Sequence, residues 1–355
     1  MQLELLRLVK FRNLNQAELA LHPRLNIIVG DNGSGKTSIL EAVHFLGLGR
    51  SFRTNRPSKV VQHEHEEFVV FAEVGGHKVG LKKTRGGDTV LKLDGETLQG
   101  QASISASLPM QLLQPNGYGI VDGSPKERRA FLDWGVFHVE QRYYPVWQNL
   151  RRLLKQRNAL LKTARSYADL APWDKQFCEL SISTAQMREE YLQRLHPYLE
   201  EMLKMFLPEY VFHVEHFRGW DKKSELSALL ERSFDRDKHM GFTQYGAHKA
   251  DLRLKLDKRN AQDVVSRGQL KLLVCGLKLA QGKLNYQELS KRTIYLVDDF
   301  AAELDKLKRT LLAKQLMQTE AQVFVTAIEQ NQLDGFDLTE CGVFHVEHGS
   351  VRNEN

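Results

Sequence analysis

The octapeptide Gly30-Asp31-Asn32-Gly33-Ser34-Gly35-Lys36-Thr37 matches the phosphate-binding pattern GxxxxGK[ST] at every fixed position. It follows the apolar run LNIIV, which reads as a buried strand. It precedes a helical spacing from Ser38 to about Leu48, with Ile39, Leu40, Val43 and Leu46 on one face. The chemistry needs that context. Glycines let backbone N–H groups curl around phosphate oxygens, and the helix N-terminus adds its partial positive charge. On this reading Gly30, Asn32, Gly33, Ser34 and Gly35 form the cradle. Lys36 reaches the β- and γ-phosphates of a nucleotide, and the Thr37 hydroxyl binds Mg²⁺. A glycine-rich turn with a stray lysine is the plainer account, and the flanking strand and helix argue against it.

A carboxylate partner stands far downstream. Ile294-Tyr295-Leu296-Val297-Asp298-Asp299 is an apolar strand ending in acid, which delivers a carboxylate to the Mg²⁺ beside such a loop. Asp298 is the expected metal-side acid, and Asp299 is placed to hold or deprotonate an attacking water. Lys36, Asp298 and Asp299 are thus the expected catalytic groups. Between the two elements, Ser266-Arg267-Gly268-Gln269 opens a helix with an apolar stripe at Leu270, Leu273, Val274 and Leu277. As bare chemistry it is a helix cap with Ser at the N-cap.

Composition narrows the class. Of 355 residues, 42% are apolar and 26% charged, as in ordinary globular chains, which argues against disorder. No stretch approaches the ~20 apolar residues of a membrane span, and MQLELLRLVKFRN lacks the apolar core of a secretory signal. The three cysteines (Cys178, Cys275, Cys341) form no CxxC pair. Metal-finger and disulfide-framework readings therefore fail, and a reducing, cytoplasmic setting is expected. The net charge of +6 permits a polyanionic partner without demanding one.

Short strands are expected through residue 30, and an alternating hairpin or meander over 68–98. A helix should open at Ser124-Pro125-Lys126-Glu127, with Ser as N-cap, Pro at the first position and Glu three residues on. The stretch 125–235 reads as helical, interrupted near Pro145, Pro172, Pro197 and Pro208, and shorter elements return after Gly246. The expected class is α/β: an ATPase lobe from 1–120 and 246–355, with a mainly helical lobe at 121–245 inserted into it. VFHVEH occurs at 211–216 and 343–348, and VFHVEQ at 136–141. The unequal spacing excludes a solenoid period. His and Glu two apart could share a strand face as metal ligands, but chance recurrence of a strand-favouring string explains the repetition better.

Order now adds specificity. The loop at 30–37, then SRGQ, then the strand ending in Asp298-Asp299, then Ala302-Glu303-Leu304-Asp305 resemble the Walker A, signature, Walker B and D-loop elements of a P-loop ABC-type ATPase head, SMC/Rad50-like but without a long coiled coil. Nearly the whole chain resembles the RecF family, through FRNL (11–14), GRSFR (49–53), SPKERRAFLDWGVFH (124–138), AHKADLRLK and VDDFAAELD. The resemblance implies ATP and Mg²⁺ as cofactors and an ATP-dependent homodimer. It also implies sequence-independent binding to gapped DNA or ss/ds junctions, and recombinase loading with RecO and RecR. Ser266, Gly268 and Gln269 would then meet the γ-phosphate held by the opposite protomer. Arg12 and Asn13 would lie near the nucleotide, Asn32 would face the γ-phosphate, and Gln114 would be the Q-loop residue, although Asn116 stands where relatives carry an acid. Asp299 replaces the usual Glu and is one C–C bond, about 1.5 Å, shorter, so slow, DNA-stimulated hydrolysis suited to a switch is expected.

Residues 141–168 contain seven Lys/Arg and no Asp or Glu. A helical wheel gathers Arg151, Lys155, Lys162 and Arg165 opposite a leucine face. These four are the expected phosphate-backbone contacts. A competing reading is the nucleotide-binding subunit of an ABC transporter; Thr326 at the position where such subunits use His, the paired Asp, and the basic helical insert all speak against it. Another is an SMC or Rad50-like arm, for which the 228 residues from 38 to 265 are too few. A third is a clamp in which turnover is incidental.

Overall fold

The computed structural model describes residues 2–115 and 117–354. In chain order it begins with β1 (Leu3–Phe11), β2 (Leu14–Ala20), β3 (Leu25–Val29) and α1 (Lys36–Leu48). Then come β4 (Glu67–Val74), β5 (His77–Thr84), β6 (Thr89–Leu93), β7 (Glu96–Thr97), α2 (Ala102–Ser107) and β8 (Met110–Leu113). The middle holds α3 (Pro125–Val139), α4 (Tyr143–Leu160), α5 (Ala171–Phe206), β9 (Phe212–Phe217), α6 (Leu226–Arg232) and α7 (Phe234–Met240). It continues with β10 (Asp251–Leu256), β11 (Arg259–Asn260) and α8 (Arg267–Leu289). The last elements are β12 (Ile294–Val297), α9 (Lys306–Gln318), β13 (Gln322–Ala327), β14 (Gly342–Glu347) and β15 (Ser350–Asn353).

Two compact units result: Met1–Gly117 with Asn285–Asn355, and Tyr118–Leu284. The lobes expected from the sequence were divided at 120/121 and 245/246, so the second boundary differs. The reason is strand pairing. β10 lies antiparallel to β9, Leu252 opposite His216 and Leu256 opposite Phe212, which keeps the chain beyond Gly246 with the helices until it passes through α8.

The first unit carries two six-stranded sheets, β2-β1-β4-β5-β6-β7 and β15-β14-β3-β13-β12-β8. In the second, β14, β3, β13, β12 and β8 run parallel. β3, β12 and β13 are buried at every position, as parallel strands covered on both faces must be. β4 alternates instead, with every second side chain buried. Ile39, Leu40, Val43 and Leu46 of α1 are fully buried, as their spacing predicts. Phe45 meets Phe11 and Phe68 edge-on at 6.3 and 5.1 Å. Truncating Phe45 to Ala would cost about 3–5 kcal/mol by the cavity it leaves.

The second unit is mainly helical, with the small sheet β11-β10-β9 beside the helices. Leu150 and Leu153 of α4, Phe177 of α5, Trp220 and Leu230 share one apolar cluster. One local expectation fails here. Pro197 does not interrupt α5, which runs unbroken for 36 residues. Pro lacks one N–H, and the burial of Leu195, Leu199, Met202 and Leu203 on either side of it holds the helix through that loss. Ser124 precedes α3 with Pro at the helix start, as expected, but its side chain makes no cap to a backbone N–H. Its hydroxyl bonds the Glu127 carboxylate instead.

Candidate nucleotide-binding site

Three glycines shape the turn from β3 into α1. Gly30, Gly33 and Gly35 hold φ of 145°, 80° and 128°, where a side chain is strained. A Cβ on Gly30 would stand 2.1 Å from the Val346 carbonyl oxygen on β14. Asn13, in the β1–β2 turn, clamps the loop. Its Nδ2 donates to the Gly33 and Ser34 carbonyls at 3.2 and 2.9 Å, and its Oδ1 accepts from Ser38 Oγ at 2.9 Å. The Gly349 N–H, in the β14–β15 turn, donates to the Ser34 carbonyl at 3.0 Å.

Lys36 curls back over the loop, its Nζ donating to the Gly30 and Asp31 carbonyls at 2.6 and 2.9 Å. Burial lowers its pKa, against the pull of Asp299, Asp298 and Asp31. Thr37 Oγ1 donates to Asp298 Oδ1 at 2.9 Å. Thr326 Oγ1 donates to the same oxygen at 2.9 Å while accepting from the Asp299 N–H at 2.8 Å. Burial raises the Asp298 pKa, and the hydrogen bonds from Thr37 and Thr326 resist the rise. Thr37 and Asp298 thus juxtapose two hard oxygen donors, a set that fits Mg²⁺ completed by nucleotide oxygens and water. Asp299 holds φ of 49°, a region that aspartate and asparagine tolerate better than most residues.

These groups open on a cleft of about 570 Å³, within the usual range for small-molecule sites. Asn32, Gly33, Gly35, Lys36, Thr37, Asp298 and Asp299 line it, joined by Arg12 and Asn13. Arg12 is fixed by the fully buried Glu41 of α1, with Nε at 2.9 Å and Nη2 at 2.6 Å from its two oxygens. Thr326 lines the cleft too. Rather than simply replacing a switch histidine, it ties Asp298 to the start of the next turn.

Not every expected residue converges here. Pro115 lines the cleft and Gln114, among the described residues, does not; Asn116 lies outside the described residues. Ser266, Gly268 and Gln269 belong to the second unit. There Ser266 Oγ accepts from the Gln269 N–H at 3.4 Å, and Gln269 Oε1 accepts from the Ser266 N–H at 2.8 Å, a reciprocal cap that leaves Ser266 exposed at the start of α8. Sequence reasoning missed Arg53, Lys59 and His63 as cleft residues. Only Arg53 carried a signal, in GRSFR; the other two arrive on a loop with no periodicity to mark it.

In the second unit Arg151, Lys155, Lys162 and Arg165 are all exposed. The first two lie on α4 and the others just past its end. Arg157, counted with them in the basic stretch, is instead fully buried between Asp174 and Asp237. The repeated string is strand at 212–216 and 343–347 but helix at 136–139. Its His213 and Glu215 stand on the solvent face of β9, and no cluster of three or more His, Cys, Asp or Glu fit for a metal occurs among the described residues. No helix of the described residues is long and apolar enough to cross a membrane.

The model of the RecF/RecN/SMC N-terminal domain matches residues 2–352. The DNA replication and repair protein RecF of Psychromonas ingrahamii is 45% identical over 359 residues, covering 100% of each chain. A solved structure of the recombination mediator protein RecF with ATP superposes with a TM-score of 0.88 at 24% identity, over 100% of this chain and 98% of that one. An Smc head bound to the C-terminal winged-helix domain of ScpA superposes at 0.60 and 15% identity, over 99% of this chain and 97% of that one. Both structures share the fold.

Proposed function

The chain belongs to the RecF family, within the wider RecF/RecN/SMC group, and from that premise we propose that it is an ATP-binding mediator of recombinational DNA repair. The observation that carries the reading is the Thr37–Asp298 pair, 2.9 Å apart beneath the loop that presents Lys36. Bound Mg²⁺ would supply neutralisation of charge across the β- and γ-phosphate oxygens. Lys36 exchanges the Gly30 and Asp31 carbonyls for phosphate oxygens. Asp299 orients or deprotonates the attacking water, and its short side chain keeps turnover slow, in the manner of a weak DNA-stimulated ATPase acting as a switch.

Two chains sandwich two ATPs in this reading. Each site combines Lys36, Thr37 and Asp298 of one chain with Ser266 and Gly268 of the other. The exposed start of α8 supports that role, since a helix N-terminus attracts phosphate. Arg151, Lys155, Lys162 and Arg165 take the DNA backbone, independent of base sequence. The setting is the bacterial cytoplasm, the DNA a gap or ss/ds junction, and RecO and RecR the partners in recombinase loading. The transporter-subunit reading finds no support, because the family model and the full-length relative are of the RecF kind.

The test is fluorescence anisotropy of a gapped duplex, with Mg²⁺-ATP and without nucleotide, near physiological salt. Tighter binding only with ATP is expected. Ser266→Arg should block ATP-dependent dimerisation and leave ATP binding by the monomer intact. A variant that dimerised normally would refute the shared site.

A further inference from the structure

We propose that α4 carries a stacking platform for unpaired DNA bases, formed by Tyr144, Trp147 and Arg151; the proposal rests on the DNA-binding reading above and deepens it. The three residues sit at i, i+3 and i+7, one stripe of the helix. The Tyr144 and Trp147 rings are stacked with 22° between their planes and 6.3 Å between centroids. The Arg151 guanidinium carbon lies 4.6 Å from the Trp147 ring centroid. Phe137 of α3 braces the end of this ladder, edge-on to Tyr144 at 5.6 Å.

Tyr143 shows what a core aromatic looks like one position away. It is 2% exposed, and its hydroxyl donates to Asp133 Oδ1 at 2.5 Å. Tyr144 and Trp147 are only partly covered, and Arg151 is exposed. The planes are nonetheless fixed before any ligand arrives. Trp147 Nε1 donates to Asp133 Oδ2 at 3.2 Å, and Arg188 holds that same carboxylate at 2.7 Å. Tyr144 Oη accepts from Gln148 Nε2 at 2.8 Å. A fixed aromatic surface loses little entropy on binding.

The charge around the ladder selects the occupant. Arg152 and Lys155 are exposed on the same helix beside Arg151, Arg142 pairs with Glu140 at 3.1 Å, and no acid occurs from 141 to 168. A peptide rich in apolar side chains gains nothing from that charge, whereas a phosphate backbone does. Bases within a duplex are already stacked on one another, so only unpaired ones can add to the ladder. Each base on an aromatic contributes about 1–3 kcal/mol. The platform therefore favours DNA in which a single strand flanks the duplex held by the basic side chains.

The experiment uses the full chain with Mg²⁺-ATP and two labelled DNAs: a blunt duplex, and the same duplex with a short oligo-dT tail. The wild type should bind the tailed DNA about tenfold more tightly, the effect of one stacked base, and an abasic tail should remove that advantage. The double variant Tyr144→Ala/Trp147→Ala should lose the advantage and keep its affinity for blunt duplex. Trp147→Phe should restore most of it. Tyr144→Ala alone, whose hydroxyl meets Gln148, guards against misfolding and should lose part of it. An advantage that survives the double variant or the abasic tail overturns the platform, and so does an equal loss on both DNAs. Tight duplex binding by the wild type with no tail advantage overturns the platform alone. No binding of either DNA overturns the platform and the DNA-binding reading together.

Discussion

The nucleotide cleft and the interior of the helical unit both bury charge, and they treat it in opposite ways. In the cleft, burial pushes Lys36 down and Asp298 up, each toward its neutral form. Their partners are carbonyls and hydroxyls, which satisfy hydrogen bonds without cancelling charge. In the helical unit Arg157 donates to Asp174 at 2.7 and 3.0 Å, to Asp237 at 3.1 Å and to Thr243 Oγ1 at 2.8 Å. The carboxylates outweigh burial there and raise the guanidinium pKa, although burial still pushes the Asp237 carboxyl up. Charge left uncancelled awaits a ligand; charge cancelled on the spot is architecture.

Breaking the architectural set should show the largest effect. Arg157→Ala leaves two carboxylates buried without their cation, and should cost about 3–5 kcal/mol in urea unfolding. A loss below about 1 kcal/mol would mean that water reaches the site. Lys36→Ala should do the reverse: ATP affinity falls about 10- to 150-fold in a calorimetric titration, the worth of a charge-assisted contact, while the melting temperature of the free protein hardly moves. An equal drop in melting temperature would erase the distinction between the two sites.

His248 sharpens the comparison through pH. Burial holds its pKa at about 4, below the ordinary 6.5, with Nε2 2.9 Å from the Thr243 carbonyl. The unfolded chain takes up this proton below about 6.5 and the folded chain only near 4. Stability should therefore fall as pH drops through that window, and His248→Gln should flatten the fall in urea midpoints measured against pH. Asp298→Asn is the mildest test. Because the fold disfavours the ionised acid, wild-type stability declines as pH rises through the Asp298 titration. The amide removes that decline, so the free protein should be slightly more stable than wild type at neutral pH. Mg²⁺-dependent nucleotide stabilisation should vanish in the same thermal scans.

The sequence exposed what is local. The glycines of the loop, the strand before it and the acid at the end of β12 each announce themselves within a dozen residues, and the structure brings Thr37 and Asp298 together as their types require. What stayed hidden depends on distant partners. A helical wheel could place Arg157 but could not foresee carboxylates 17 and 80 positions away. Pro197 reads as a breaker until the packing around α5 is known. VFHVE is the clearest case: identical letters form strand where β10 or β3 lies alongside, and helix where they continue α3.

The approach of Gly30 to the Val346 carbonyl bears on how a cell makes this molecule. β3 lies between β13 and β14, so the strand that launches the phosphate loop emerges from the ribosome some 300 residues ahead of both its neighbours. A nascent chain that stops before Val346 lacks one wall of the loop and the Gly349 contact that holds Ser34. Nucleotide capture must therefore wait until translation has passed these strands, and prematurely terminated products should be unable to compete for ATP.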